Sequence, residues 1–148
     1  MNLVPIDSEF LWRPAAPLTP EDIKMHHLTF KEMQEMLPAL HGVALAFPQV
    51  GIDGQAFVTS YGDFRVVINP TWKQHGTDFV SKLEGCLSRP GWHTFIRRPL
   101  EIDARWTDEH GAEKASRLFG MEARVFQHEA DHLNGVCVFP RPVIHAHG

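Results

Sequence analysis

The stretch Gln127-His128-Glu129-Ala130-Asp131-His132-Leu133-Asn134-Gly135, QHEADHLNG, sets two histidines four residues apart with an acid beside the first. Its meaning depends on the element that carries it. After Gly120, the residues Met121, Val125, Phe126, Ala130 and Leu133 are apolar at helical spacing, which predicts a helix with one buried face. Asn134-Gly135 then closes the helix as a left-handed C-cap. Residues four apart on a helix stack one above the other, so His128 and His132 project side by side. Two imidazoles so placed can share a metal ion, with Glu129 in reach of a water on the same ion. The bland alternative is coincidence, because ten histidines in 148 residues raise the rate of accidental pairs. The buried face and clean capping favour a metal.

Composition bounds what such a site could serve. A chain of this length suits one domain, residues 1–148, able to bury about two thirds of its unfolded surface. Its 43% hydrophobic and 22% charged residues are those of a soluble globular protein. A formal net charge of −4, with Arg97-Arg98 as the densest basic group, gives no attraction to nucleic acid or anionic lipid. No apolar run is long enough to span a membrane, and the segment MNLVPIDSEF lacks the features of a signal peptide. The cysteine count of two, Cys86 and Cys137, indicates no disulfide framework and fits a reducing, cytoplasmic setting.

Outward from the helix the chain alternates in character. The proline-rich start, up to Pro20, reads as extended. Thr19-Pro20-Glu21-Asp22 opens a helix, and Thr29-Phe30-Lys31-Glu32 reads as a capping box for another, with Phe30, Met33, Met36, Leu37 and Leu40 on one face. Ala56–Val58 and Phe64–Ile68 are short apolar runs typical of strands, the second bounded by Asn69 and Pro70. Leu100, Ile102, Ala104 and Trp106 alternate with polar residues, the signature of a half-buried antiparallel strand. Asp108–Gly111 turns into a further strand ending near Phe119. Trp92 and Trp106 read as core or rim.

Two histidines leave a catalytic site one protein ligand short. A carboxylate, a remote histidine or a thiolate could complete it. Leu83-Glu84-Gly85-Cys86-Leu87-Ser88 offers a cysteine beside a glycine, where backbone can approach closely. Cys137 reads as a small buried hydrophobe, and His145-Ala146-His147 as a decoy near the chain end. Gly42 to Gly51 is apolar apart from Gln49; a buried amide there needs a partner, and its NH₂ could instead donate to a substrate oxygen.

These segments, in this order, resemble the peptide deformylases, metalloenzymes that remove the N-formyl group from new polypeptides. The family motifs GxGLAAxQ, EGCLS and QHExDH are matched imperfectly by Gly42–Gln49 and completely by Glu84–Ser88 and Gln127–His132. Looser similarity extends from Ile23 to Phe139. The resemblance implies an α+β fold in which antiparallel sheets surround the histidine-bearing helix. It implies Cys86, His128 and His132 as ligands of one divalent ion, iron(II) natively, with zinc, nickel or cobalt as alternatives. It implies Glu129 as general base and acid, Gln49 and the Leu87 N–H as donors to the developing oxyanion, and Glu84 behind a ligand histidine. The substrate would be an N-formylmethionyl peptide, extended against Val43 and Gly85, with its first side chain beside Val125. The rivals are a zinc endopeptidase, which shares HExxH, and a binding module without turnover, which an intact Glu129 disfavours.

The chain departs from the family at Ala44, usually glycine, and at Phe47, usually alanine. The added methyl of Ala44 would narrow the substrate's approach and disfavour positive φ, so altered peptide or inhibitor affinity is expected. The sequence also stops about a dozen residues past the histidine helix, like short forms of the family, phage-encoded ones included. Ribosome docking through a further C-terminal helix is therefore not expected, and the chain is expected to act as a monomer in the cytoplasm of a bacterium or of an infected host.

Overall fold

The computed structural model describes residues 1–143, so His145 and His147 lie outside the described residues. Its helices are α1 (Glu9–Trp12), α2 (Pro20–Met25), α3 (His27–Leu40) and α4 (Met121–Leu133). Its strands are β1 (Ala44–Ala46), β2 (Ala56–Thr59), β3 (Val66–Gln74), β4 (Phe79–Cys86), β5 (Arg89–Pro99), β6 (Glu101–Thr107) and β7 (Glu113–Phe119). Five strands form one antiparallel sheet in the order β1-β2-β3-β6-β7, and β4 and β5 form a separate two-stranded sheet. The fold is α+β, with α4 between the two sheets.

The pleat explains why some strands are apolar throughout and one alternates. Successive side chains point to opposite faces. Leu45, Ala56, Val58, Val66 and Ile68 pack with Phe30, Met33 and Leu37 of α3 on one side. Their neighbours Ala46, Phe57 and Val67 pack with Ala123, Phe126 and Leu133 of α4 on the other. Both faces of β1, β2 and early β3 are thus covered, which demands continuous apolar runs. Strand β6 is covered on one face, so Ile102, Ala104 and Trp106 alternate with polar residues. Phe126 sits at the centre of the α4 side, edge-on to Phe57 and Phe64 at 5.6 and 5.9 Å, an arrangement favoured by the ring quadrupoles.

Local chemistry fixes the ends. Thr19 caps α2 by accepting from Asp22 N through its hydroxyl, and the Asp22 carboxylate accepts from Thr19 N in return. The capping box expected at Thr29 does not form. Helix α3 starts two residues earlier, at His27, directly after α2, so the backbone N–H groups a Thr29 cap would serve are already inside a helix; the Thr29 hydroxyl lies 3.3 Å from His26 Nδ1 instead. Strand β3 does not end at Asn69-Pro70 either. It bulges there, with Asn69 at φ 50, and continues to Gln74. The Asn69 amide accepts from Leu18 N and donates to Leu18 O, pinning the N-terminal arm. That arm is mostly extended but holds the short α1, capped by Ser8. Gly135 closes α4 at φ +77, and a Cβ there would lie 2.8 Å from the backbone of Arg13. Residues 136–143 carry no further helix.

The β4–β5 hairpin was not evident from sequence pattern, and its inner face explains why. Between Phe79 and Pro99 the fully buried residues are Glu84, Ser88 and Arg98. The large apolar side chains Phe79, Leu83 and Phe95 are exposed, Phe95 by 72%. Only Leu87, at the hairpin tip, packs partly against the α3 cluster. It does so across Gly42, where a Cβ would collide with its side chain.

Candidate metal centre and cleft

Helix α4 supplies His128 and His132 from adjacent turns, their rings 5.2 Å apart. The last residue of β4 supplies Cys86, whose Sγ lies 3.3 Å from His132 Nε2. One ligand atom from each of the three falls within 4.8 Å of the others. Two ligands of a tetrahedral zinc-like ion, with bonds of about 2.3 Å to sulfur and 2.0–2.1 Å to nitrogen, sit about 3.5 Å apart. The donor set therefore fits a divalent ion, and a second observation points the same way. Glu129 is buried, and its Oε2 is the buried side-chain oxygen or nitrogen left without a hydrogen-bond partner among the described residues. Such an atom normally has a partner, and Glu129 is one of the residues lining the cleft beside the Cys/His group.

Behind the ligands lies a charged cluster. Glu84 Oε1 is 2.9 Å from His128 Nδ1. Arg98 donates to Glu84 through Nε at 2.6 Å and Nη2 at 3.0 Å, and through Nη1 to Asp131 at 2.8 Å. Arg124 also donates to Glu84. All three of Glu84, Arg98 and Arg124 are 7% exposed. Burial pushes the Glu84 carboxyl upward, but bonds from His128 and Arg98 outweigh it and hold it down at about 2. Burial alone would lower His128, yet its bonds to Cys86 and Glu84 raise it to about 10. His132 has no such acid partner, and burial with the neighbouring positive charges takes it to about 3. Burial also raises Glu129 to about 7. Both imidazoles must be neutral to bind an ion, so metal binding there would release any proton held by His128.

Above the ligands opens a cleft of about 510 Å³, lined by Val43, Gln49, Glu84, Gly85, Cys86, Leu87, Val125, His128 and Glu129 among others. The structure thus gathers every residue singled out from sequence around one space, His132 lying just beneath at Cys86. Gln49 is 1% exposed. Its Oε1 accepts from Ala46 N at 2.8 Å, which orients the amide so that Nε2 faces Ser88 Oγ at 3.0 Å and Cys86 Sγ at 3.6 Å. Val43 flanks the free edge of β1; its carbonyl accepts from Thr59 Oγ1 and Ser60 N on the other side. Leu87 stands in the turn between β4 and β5.

Several expectations need correcting. Ala44 lines the cleft, but its backbone is ordinary strand; the described non-glycine residues at positive φ are His41 and Asn69, so no such strain arises. Phe47 points away from the cleft into the core, stacked on Phe30 at 5.4 Å. Met121, assigned to the buried face of α4, is 44% exposed at the cleft rim. Cys137 is more than a buried hydrophobe: its Sγ lies 3.7 Å from His132 Nδ1, and burial pushes its thiol up to about 12, keeping it neutral. Arg98 and Asp131 form an ion pair at 2.8 Å and belong to the cluster behind the site. Arg124 was missed, although its position four residues before His128 places it on the same helical face.

Comparison with known proteins agrees with this geometry. The profile of the family described as Polypeptide deformylase matches residues 1–143. A peptide deformylase of Picosynechococcus is 38% identical over 75% of this chain and 63% of its own length. One of Prochlorococcus marinus is 33% identical over 95% of this chain and 73% of its own. The crystal structure of peptide deformylase from Thermotoga maritima superposes with a TM-score of 0.86, at 36% identity, covering 93% of each chain. The chain spans somewhat under two thirds of the first relative and about three quarters of the second. On the match of profile, sequence and fold, this chain belongs to the polypeptide deformylase family.

Proposed function

We propose that this chain is a metal-dependent hydrolase, a single catalytic domain over residues 1–148, that removes the formyl group from N-terminal formylmethionine and releases formate. The observation that carries the reading is the meeting of Cys86, His128 and His132 beside the unpartnered Glu129 carboxylate at the floor of one cleft. Cys86, His128 and His132 would hold the cation, and Glu84 fixes the His128 tautomer by taking its Nδ1 proton bond. A divalent ion held by these residues would supply Lewis acidity, making water a better nucleophile at neutral pH and the formyl carbonyl more electrophilic.

The protein side chains do the rest. Glu129 takes a proton from the water whose oxygen adds to the formyl carbon, and later gives it to the departing amine as the C–N bond breaks. One C–O bond forms, one C–N bond is lost, and formate leaves with a free methionyl amine. Gln49 Nε2 and the Leu87 N–H donate to the formyl oxygen as its charge grows; one such donor is commonly worth about 3 kcal/mol. The orientation of Gln49 is fixed beforehand by Ala46 N, so no reorganisation is needed during the reaction. The peptide lies extended between Val43 on the β1 edge and Gly85 on β4, adding its backbone to the sheet edge. Val125 borders the space for the methionine side chain. A thiolate ligand donates more charge than a third imidazole and favours a softer, more labile ion, which supports iron(II) natively, with zinc, nickel or cobalt able to occupy the same donors. The proposed enzyme acts as a monomer in the cytoplasm, where formylated chains are made, and needs neither nucleic acid nor membrane.

Formyl-Met-Ala-Ser incubated anaerobically with iron(II) and the protein should yield formate, and the Glu129→Ala variant should not. Cleavage of an unformylated peptide instead would favour an endopeptidase. Binding without formate release from wild type would leave only a recognition module.

A further inference from the structure

Arg124 has no part in the proposed chemistry, yet it is buried beside the candidate ligands. It stands on α4 one turn before His128, so both side chains leave the same helical face. Its Nη1 donates to Glu84 and, at 3.0 Å, to the carbonyl of Ile96; its Nη2 donates to the carbonyl of Val80 at 2.6 Å. Val80 belongs to β4 and Ile96 to β5. One guanidinium from the helix therefore grips the main chain of both hairpin strands and the Glu84 carboxylate of β4.

That grip matters because the hairpin is held to α4 by directional polar contacts rather than by apolar packing. Its inward, fully buried strand residues are Glu84 and Arg98, and neither apolar core takes a buried side chain from it. Cys86 ends β4, so the distance from its sulfur to the imidazoles is the distance from hairpin to helix. A guanidinium removed from water must have its N–H groups matched by acceptors, and those of Arg124 are matched only when the hairpin is seated. Arg98 makes the complementary link from β5 to Asp131 of α4, but it reaches a side chain at the far end of a flexible stem; Arg124 takes hold of backbone.

We propose that Arg124 is a positioning residue: by holding Val80 O, Ile96 O and Glu84 together it seats the β4–β5 hairpin on α4 and sets the Cys86 thiolate against His128 and His132. This rests on the metal-site reading above and adds to it which residue brings the sulfur to the helix. Lysine could reach Glu84 from position 124, but one ammonium lacks the planar fork that serves acceptors on two strands at once.

Cobalt(II) is the probe. Its affinity is measured by competition with a chromogenic chelator, and its thiolate charge-transfer band is recorded, for wild type, Arg124→Met and Arg124→Lys. Hydrogen exchange on the cobalt-saturated proteins compares the amides of residues 79–98 with those of β2 and β3. Both variants should bind cobalt roughly 10–100-fold more weakly, the usual effect of losing a residue that supports a ligand. Faster exchange should be confined to the hairpin, with the lysine recovering little. A folded variant with wild-type affinity and wild-type hairpin exchange would overturn the proposal, and so would equal loosening of hairpin and sheet, which marks a general structural role. Should Arg124→Met fail to fold, Arg124→Lys decides alone. A wild-type protein that binds no cobalt sinks the metal-site reading itself, an outcome distinct from either.

Discussion

The five-stranded sheet and the β4–β5 hairpin both flank α4, but they are held to it by opposite means. On the sheet side Phe126, Ala123 and Leu133 fit among Phe57, Val67, Ile102 and Trp106, and the attachment is non-directional burial, about 1.5–3 kcal/mol for each large side chain. On the hairpin side the attachment is Glu84, Arg98, Arg124 and Asp131, with Gln127 Nε2 bonded to Pro99 O at 3.0 Å. A packed core tolerates small shifts and shares its strength among many atoms. A buried charge cluster holds only when every partner is in place, because each ion left alone is costly. The protein puts two candidate ligands on the element common to both regions and the third on the polar one. Precision is bought where the sulfur must be aimed.

The contrast can be broken at its strongest point first. Phe126→Ala should destabilise the whole domain by about 3–5 kcal/mol, read as one cooperative drop in thermal midpoint. If unfolding instead became two separate transitions, the sheet and hairpin would be independent, contrary to the common helix. Next is Gln49, which sits in the 3-10 turn after β1 yet donates to Ser88 in the hairpin turn. Gln49→Leu should lower kcat by about 3 kcal/mol of transition-state stabilisation while elemental analysis finds the metal retained. Metal loss in that variant would refute the assigned role and make Gln49 a structural tie between the regions. Asp131→Asn removes the charge from the partly exposed acceptor of Arg98 and should cost roughly 1 kcal/mol. The effect should show as faster amide exchange in residues 89–98, with β2 and β3 unchanged. Phe95→Ser, on the solvent face, should change stability by no more than about 0.5 kcal/mol; a larger loss by chemical denaturation would mean that the hairpin's apolar side chains contribute more than their exposure implies.

The same contrast explains what sequence could convey. Strand β6 and helices α3 and α4 were legible because water on one side and core on the other impose period two or period 3.6, and α2 was legible from its capping residues. Strands β1 and β2 are apolar on both faces, which leaves a short run without period; β2 was recognised as a short apolar run typical of strands and β1 was not. The hairpin reverses the usual pattern, with Leu83 and Phe95 outward and Glu84 and Arg98 inward, so no hydrophobic period marks it. The residues singled out for the site were legible as motifs and do surround one cleft. The charged residues behind them were less legible, because Arg98 meets Asp131 across 33 residues of chain and Arg124 meets Glu84 across 40, and a charge read without its partner looks solvated. Position 44 teaches the limit of reading a substitution alone: alanine's aversion to positive φ was weighed there, whereas β1 is ordinary strand and asks for none.

The central claim is that one sulfur from the hairpin and two nitrogens from the helix meet at a single divalent ion. X-ray absorption at the metal edge of the zinc-loaded protein tests it directly. The account predicts one sulfur at about 2.3 Å and two imidazole nitrogens at about 2.0–2.1 Å, with the sulfur shell vanishing in Cys86→Ser. A wild-type spectrum with nitrogen and oxygen neighbours and no sulfur would contradict it.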